Sequence, residues 1–195
     1  MNTPRLETHR LILRKFTEGD IGALYEILRD REVNTFLPWF PTERMEDAAV
    51  FFRERFAASY QKPQAYSYAV CLRRDNIPIG YVTLQMDDSY ELGYGLRKEF
   101  WHQGITTEAV RAVAEQAGRD GIPYLTATHD VNNPRSGRVM QKLGMRYCYT
   151  YREQWQPKNI PVSFRLYQLN LDGDLRRVCR RYWDASAEHW VESGL

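Results

Sequence analysis

Cysteine is scarce in this chain. Cys71, Cys148 and Cys179 are the only three in 195 residues, and no two form a Cys-x-x-Cys pair. That spacing argues against a disulfide framework and against a zinc site. It makes the reducing cytoplasm the expected compartment. No apolar run approaches the length of a membrane span, and Met1 to Arg10 lacks the apolar core of a signal peptide. An excess of one charge is missing too: 27 Lys and Arg oppose 25 Asp and Glu, a balance that gives no electrostatic case for nucleic acid. There is no internal repeat and no low-complexity linker. What remains is ordinary globular composition, at a length that suits one domain with a full core and room for an appended element.

The apolar pattern changes character along the chain. Arg10 to Phe16 alternates as a strand does, and Thr17 with Asp20 supplies helix-start chemistry before Ile21, Leu24, Ile27 and Leu28. Asn34 to Pro41 reads as a loop rich in large apolar groups, including Phe36, Trp39 and Phe40. A helix is expected from Thr42 to about Tyr60, with Ala48, Ala49, Phe52 and Phe56 inward. Tyr66 to Leu72, Ile79 to Met86 and Tyr90 to Leu96 read as three sequential antiparallel strands, with a turn at Asp75-Asn76. A helix from Gly104 to about Gly118, a strand at Tyr124 to Thr128 and a helix opening on Asn133-Pro134 and closing at Gly144 follow. Met145 to Trp155 and Val162 to Leu171 suit a long hairpin. A last helix is expected from Asp172 to Trp190. Strand–helix–strand in the middle implies a right-handed crossover and some parallel pairing, hence a mixed sheet in a single α/β or α+β domain.

The stretch from Glu91 to Ala109 is the most informative. It reads as a strand, a polar turn at Gly104 and an amphipathic helix whose face is Ala109, Val110, Val113, Ala114 and Ala117. The first turn of such a helix has N–H groups without intrahelical partners, which with the helix dipole make an anion site. An ordinary strand-to-helix connection explains the same residues.

Several motifs, taken in order, resemble those of GCN5-related N-acetyltransferases of the ribosomal-protein branch. Glu7 to Arg14 is similar to that group's first strand, and Asp30-Arg-Glu-Val-Asn34 to the end of its first helix. Tyr90 to Leu96 is similar to its fourth strand. Trp101-His-Gln-Gly-Ile-Thr-Thr-Glu-Ala109 is similar to its pyrophosphate loop. Asn133-Pro-Arg-Ser136 and Lys142-Leu-Gly-Met145 are similar to its second cofactor motif. The resemblance spans about Arg5 to Leu171. It implies a domain over residues 1–171, a mixed, mostly antiparallel sheet of about seven strands flanked by helices, and a helical extension over residues 172–195 packed on the same domain. It also implies acetyl-CoA as co-substrate. Leu96 would pair its backbone with the pantetheine arm. His102, Gln103, Gly104, Ile105, Thr106 and Thr107 would hold the pyrophosphate, mostly through N–H groups, and Asn133 would order the cofactor loop. Thr106 stands where the family has Gly or Ala, and Met140 where many members carry a tyrosine acid.

Acetyl transfer to an amine needs a neutral amine, a polarised carbonyl and a protonated leaving thiolate. At pH 7 a lysine-like amine is neutral to about one part in a thousand and an α-amino group to roughly a tenth, so the first needs a base more. Glu91 is the first candidate base and Glu153 the second; a solvated strand carboxylate is the alternative for Glu91. Ser136 is the candidate donor to the thiolate, against a merely structural role in its helix. His129 and Cys148 read as structural strand residues. Trp39, Phe36 and Phe40 suit either an acceptor wall or packing.

The leading expectation is therefore an acetyl-CoA-dependent N-acetyltransferase with no metal. Its acceptor is a protein amino terminus or a small-molecule amine, and it acts as a monomer or homodimer away from membranes. The competing reading is a non-catalytic acyl-CoA-binding module on the same fold. The basic tail from Arg176 to Trp183 gives a weaker nucleic-acid reading, against a solvated helix face docked through Leu175, Val178, Tyr182 and Trp183.

Overall fold

The computed structural model describes residues 2–194. Two short strands, β1 (Leu6–Glu7) and β2 (Leu11–Arg14), precede α1 (Ile21–Leu28) and α2 (Met45–Phe51). Asp20 sets the start of α1: its carboxylate accepts from the Thr17 N–H and hydroxyl, both at 2.8 Å, and from Arg14 at 2.7 Å. The second helix starts at Met45 rather than Thr42 and widens into a π-type segment, Phe52–Ala57, that carries Phe52 and Phe56 inward. Then come β3 (Tyr66–Leu72), β4 (Pro78–Leu84) and β5 (Leu92–Leu96), followed by α3 (Ile105–Arg119) and β6 (Tyr124–Asp130). The chain continues through α4 (Pro134–Leu143), β7 (Arg146–Trp155), β8 (Ile160–Asn170), α5 (Arg181–Ala185) and β9 (His189–Trp190).

These strands form two antiparallel sheets, in the orders β1-β2-β3-β4-β5 and β6-β8-β7-β9. The α/β class and the antiparallel character match expectation; one mixed sheet of about seven strands does not. Nine strands are present among the described residues, and the parallel pairing expected of the crossover shrinks to one bridge, Glu91 with Thr126. Right after that bridge β5 and β6 part.

Helices cover both faces of the first sheet. Ala109, Val110, Val113, Ala114 and Ala117, the expected stripe of α3, are all buried against Leu11, Leu13, Tyr68, Val70 and Val82. Each buried valine there contributes about 1.5–3 kcal/mol. On the opposite face Leu24, Ile27 and Leu28 of α1 pack with Phe52, Phe56 and Tyr81. A third, largely aromatic cluster, Tyr149, Tyr151, Phe164 and Leu166, belongs to the second sheet and receives Tyr182 and Trp183.

The long C-terminal helix is absent. Gly173, at φ +84, turns the chain, and side chains of the sheet then hold an extended segment. Gln168 donates to the Arg177 carbonyl at 2.9 Å and accepts from the Cys179 N–H at 2.7 Å. Helix is confined to Arg181–Ala185, and His189–Trp190 adds a strand to β7. Leu175 and Val178, expected to dock, are exposed. The stretch finds its partners on a sheet whose aromatic face is open, and that overrides its local helical pattern.

Candidate active site

The parting of β5 from β6 creates the cleft. Register decides what it offers. The Gln85 N–H donates to the Glu91 carbonyl, and the Arg97 N–H to the Ile79 carbonyl, both at 2.9 Å. Odd-numbered residues of β5 are therefore bonded to β4. Leu92, Tyr94 and Leu96, at the alternate positions, turn their backbone groups away from β4, toward the gap. At the closed end the Tyr90 carbonyl accepts from the Thr126 N–H at 3.0 Å. At the open end the Leu96 carbonyl accepts from the Trp101 indole at 2.8 Å. Of the two backbone groups expected to meet a pantetheine arm, the carbonyl of Leu96 thus has a partner already. The cleft has a volume of ≈ 1980 Å³ and reaches from the start of α3 to the aromatic face of the second sheet.

The start of α3 is an uncapped helix end. Gly104 occupies the N-cap at φ +73 and brings no side chain to cap the helix. The first intrahelical bond is Glu108 N–H to the Gly104 carbonyl, at 3.0 Å. The N–H groups of Ile105, Thr106 and Thr107 consequently have no intrahelical partner. His102 is also left-handed, at φ +62, a costly conformation outside glycine. Glu108 would set a negative charge beside this anion site, but Arg10 holds it at 2.7 Å and Thr8 at 2.5 Å. Burial would push the Glu108 carboxyl up, yet these bonds outweigh it and hold its pKa below the usual value. Gln103 lies outside the cleft wall: its side chain donates to the Glu99 carbonyl and its own carbonyl accepts from Arg10, both at 2.9 Å. His102, Gly104, Ile105, Thr106 and Thr107 all line the cleft.

The start of α4 forms the facing wall. Asn133 caps the helix, accepting from the Ser136 N–H at 3.4 Å, and Pro134 opens it. Arg135 lies over the Trp101 ring, 5.3 Å from its centroid, and ties the two helix starts together. Met140 is buried in the main core. The tyrosine missing at that position has a counterpart on β5, where the Tyr94 hydroxyl lies 2.9 Å from the Ser136 hydroxyl. Burial holds the Tyr94 phenol well above its ordinary value, so it stays protonated and able to donate. Tyr94 was not singled out in the sequence. Its signal is a tyrosine between two glycines, on the same strand phase as Leu96.

Two carboxylates mark the other end. Glu91 is fully engaged: it accepts from the Thr128 hydroxyl at 2.6 Å and from the Tyr182 hydroxyl. Glu153, half-buried on β7, has no hydrogen-bond or ionic partner among the described residues. Burial, and then the charge of Glu91, push its pKa above the usual carboxylate value. Tyr182 stacks on Tyr151 at 4.8 Å between ring centroids. Tyr182 docks as the sequence suggests, but its bond to Glu91, and that of Thr128, escaped sequence reasoning because these residues are far apart in the chain and meet only in the fold.

Other candidates fall into place around this frame. Phe36 and Trp39 line the cleft, and Trp39 also donates to Asn34 at 2.9 Å; Phe40 is exposed and outside the lining. His129 is buried, with Nδ1 2.8 Å from the Asp130 carbonyl. Burial holds its pKa below the usual histidine value. Burial likewise pushes the Cys148 thiol up to about 11, far from a reactive thiolate. No group of residues suited to a metal ion occurs among the described residues. No helix there is long and apolar enough to cross a membrane.

An uncapped helix start suited to an anion beside a parted pair of parallel strands, with a hydroxyl and carboxylates along the same cleft, fits an acyltransferase of the acyl-CoA type. The model of the acetyltransferase (GNAT) domain matches residues 10–146, and the chain belongs to that family. It is accordingly an N-acetyltransferase whose acyl donor is acetyl-CoA. Among curated proteins it is similar to the uncharacterized N-acetyltransferase YnaD of Bacillus subtilis (strain 168), 30% identical over 161 residues that cover 80% of this chain and 88% of the relative. YoaA of the same organism, also an uncharacterized N-acetyltransferase, is 26% identical over 173 residues, covering 85% and 96%. Among solved structures, RimL, a ribosomal L7/L12 alpha-N-protein acetyltransferase in complex with coenzyme A, superposes with a TM-score of 0.76 at 19% identity, covering 88% of this chain and 100% of that one.

Proposed function

We propose that the chain acetylates a primary amine by direct attack within a ternary complex. Glu153 takes the amine proton, and Ser136, backed by Tyr94, protonates the departing thiolate. The observation that carries this reading is one continuous cleft that passes the uncapped start of α3, the Ser136–Tyr94 pair and the Glu91–Glu153 pair. The pyrophosphate is held by the N–H groups of Ile105, Thr106 and Thr107 and by the positive helix end. The gap-facing backbone of Tyr94 and Leu96 supports the pantetheine arm. This points the thioester toward the carboxylates.

The roles of the two carboxylates follow from their surroundings. Glu153 is free to accept a proton, and a raised pKa makes it a better base once ionised. Glu91, with both oxygens engaged, orients Tyr182 and Thr128 and supplies charge. The amine nitrogen attacks the thioester carbon, the carbon–sulfur bond breaks, and sulfur takes the Ser136 proton, which a water in the cleft restores while the Tyr94 phenol stays protonated and hydrogen-bonded to Ser136. Three unpaired cysteines fit a reducing, cytoplasmic setting; the protein acts there as a monomer or homodimer.

Thiol release from acetyl-CoA, followed with an amine panel that includes peptides and small amines, tests this. Acceptor-dependent release that falls on Ser136→Ala and Glu153→Gln is the expected result. Coenzyme A binding with no release in wild type returns the chain to a non-catalytic acyl-CoA module.

A further inference from the structure

The acceptor half of the cleft has a composition of its own. Tyr151 and Phe164 form its buried floor, with ring centroids 5.6 Å apart. Trp155 stands edge-on to Phe164 at 5.1 Å, and Tyr182 lies parallel on Tyr151. Trp39 and Phe51, 5.0 Å apart, line the same cleft from the first sheet's helical side. Within this aromatic enclosure Glu91 and Glu153 have no basic partner among the described residues; the nearby cations, Arg55 and Lys158, lie instead over the rings, Arg55 5.7 Å from the Trp39 centroid and 5.8 Å from that of Phe51, and Lys158 5.8 Å from that of Trp155. Asp87 and Asp88, the other acids near this strand, are neutralised by Arg181 at 2.5 and 3.1 Å.

Two further features restrict what enters. Lys158, in the turn between β7 and β8, donates to the carbonyls of Asn34 and Thr35 at 3.1 and 2.9 Å. It straps that hairpin to the segment after α1, whose Thr35 and Phe36 line the cleft. The outer edge of β7 is already taken by β9, which pairs Thr150 with Trp190 and Tyr151 with His189. At Thr150 and Tyr151, and at Arg152, whose N–H donates to the Glu188 carbonyl at 2.9 Å, an extended peptide therefore finds no free edge to join as a strand, the usual way a sheet holds a polypeptide.

We propose that the acceptor is a small primary amine with one positive charge and an aromatic-sized apolar body, and not a protein amino terminus or a polyamine; this rests on the acetyltransferase reading above. The apolar body fills the aromatic enclosure, and the ammonium supplies the counter-charge that the carboxylate pair lacks. The ammonium gives one proton to Glu153, and its lone pair then forms the nitrogen–carbon bond as the carbon–sulfur bond breaks. The second nitrogen proton leaves to water, sulfur is protonated from Ser136, and water returns a proton to the Ser136 oxygen. A second cation, as in a polyamine, would enter the aromatic enclosure without a partner.

The test is acetylation by the full chain of phenethylamine, butylamine, spermidine and short peptides beginning with Ser or Ala. Phenethylamine is expected to exceed each of the others in kcat/KM by about tenfold or more. Trp155→Ala, with Phe164→Leu as a gentler second variant, should cut the phenethylamine-to-butylamine ratio by about tenfold. Lys158→Ala should raise turnover of peptides relative to phenethylamine. Preference for peptide or spermidine, or an unchanged ratio in both aromatic variants, overturns the proposal while leaving the acetyltransferase reading intact. Coenzyme A binding with no amine turned over overturns both.

Discussion

At the residue scale the proposed reaction turns on Glu153. Its folded pKa is raised, so the folded protein resists its ionisation more than the unfolded chain does. The sign follows: this group's destabilising effect is absent below its unfolded pKa, near 4.3, and grows as pH rises through the folded value. Glu153→Gln should therefore stabilise the protein at neutral pH and not at pH about 4, seen as a urea midpoint shift that grows with pH. The same substitution should lower kcat about a hundredfold, within the usual range for a general base, and remove the low-pH limb of the kcat/KM profile. Ser136→Ala and Tyr94→Phe should act unequally. Removing the hydroxyl that meets sulfur should cost roughly tenfold to a hundredfold in kcat, and removing its support less. Equal rates in Ser136→Ala and wild type would exclude the serine as donor.

At the scale of elements, α3 depends on one backbone conformation. Gly104→Ala puts a side chain at φ +73, where the nearest atom, on Arg10, is 3.7 Å away. The cost is then conformational and not steric, about 1–2 kcal/mol. Because the same turn aims the free N–H groups, KM for acetyl-CoA should rise along with the loss of stability; denaturant titration with and without coenzyme A separates the two effects. The C-terminal segment hangs on a different contact. Arg165 holds Glu192 at 2.9 and 2.6 Å, and Thr150 donates to the same carboxylate at 2.5 Å. Glu192→Gln should cost about 1–2 kcal/mol and loosen β9. Greater exposure of Trp190 to a fluorescence quencher would report it. The helix expected over Asp172 to Trp190 fails for a related reason. Its apolar residues have helical spacing, but Gln168, Tyr149 and Tyr151 offer better partners to an extended chain.

For the whole molecule, two sheets that share a core but whose backbones are bridged at Glu91 and Thr126 alone among the described residues of β5 and β6 make a ligand that spans the gap a structural element. Coenzyme A at about a hundred times its Kd should stabilise the fold by about 2.7 kcal/mol, measurable as a rise in Tm. Acid should weaken the protein through other groups. Burial opposes the ionised form of Asp20, yet its bonds from Arg14 and Thr17 outweigh burial and lower its pKa. Glu192 is lowered by Arg165. The stability these carboxylates contribute is present above their unfolded pKa values, near 4, and lost as pH falls through the folded ones. Denaturant midpoints should fall steeply below about pH 4, with the Glu153 effect of opposite sign above it.

Local sequence determined much of this protein. Gly104 with the α3 stripe, Asn133-Pro134 with Gly144, and the alternation of the central strands each act over a few residues, through backbone conformation, capping and one-sided burial. Those rules place the helix starts that the proposed anion site uses, and they carried the family resemblance. Tertiary structure decided the rest. One parallel pair separates into a cleft because, among the described residues, its backbones bond to each other only at Tyr90 and Thr126, beside the Glu91–Thr126 bridge. Tyr94 supplies the hydroxyl that Met140 lacks. Tyr182 occupies Glu91 and leaves Glu153 as the free carboxylate. Each of these turns on which groups meet across more than thirty residues of chain, and spacing along a sequence holds no record of such distances.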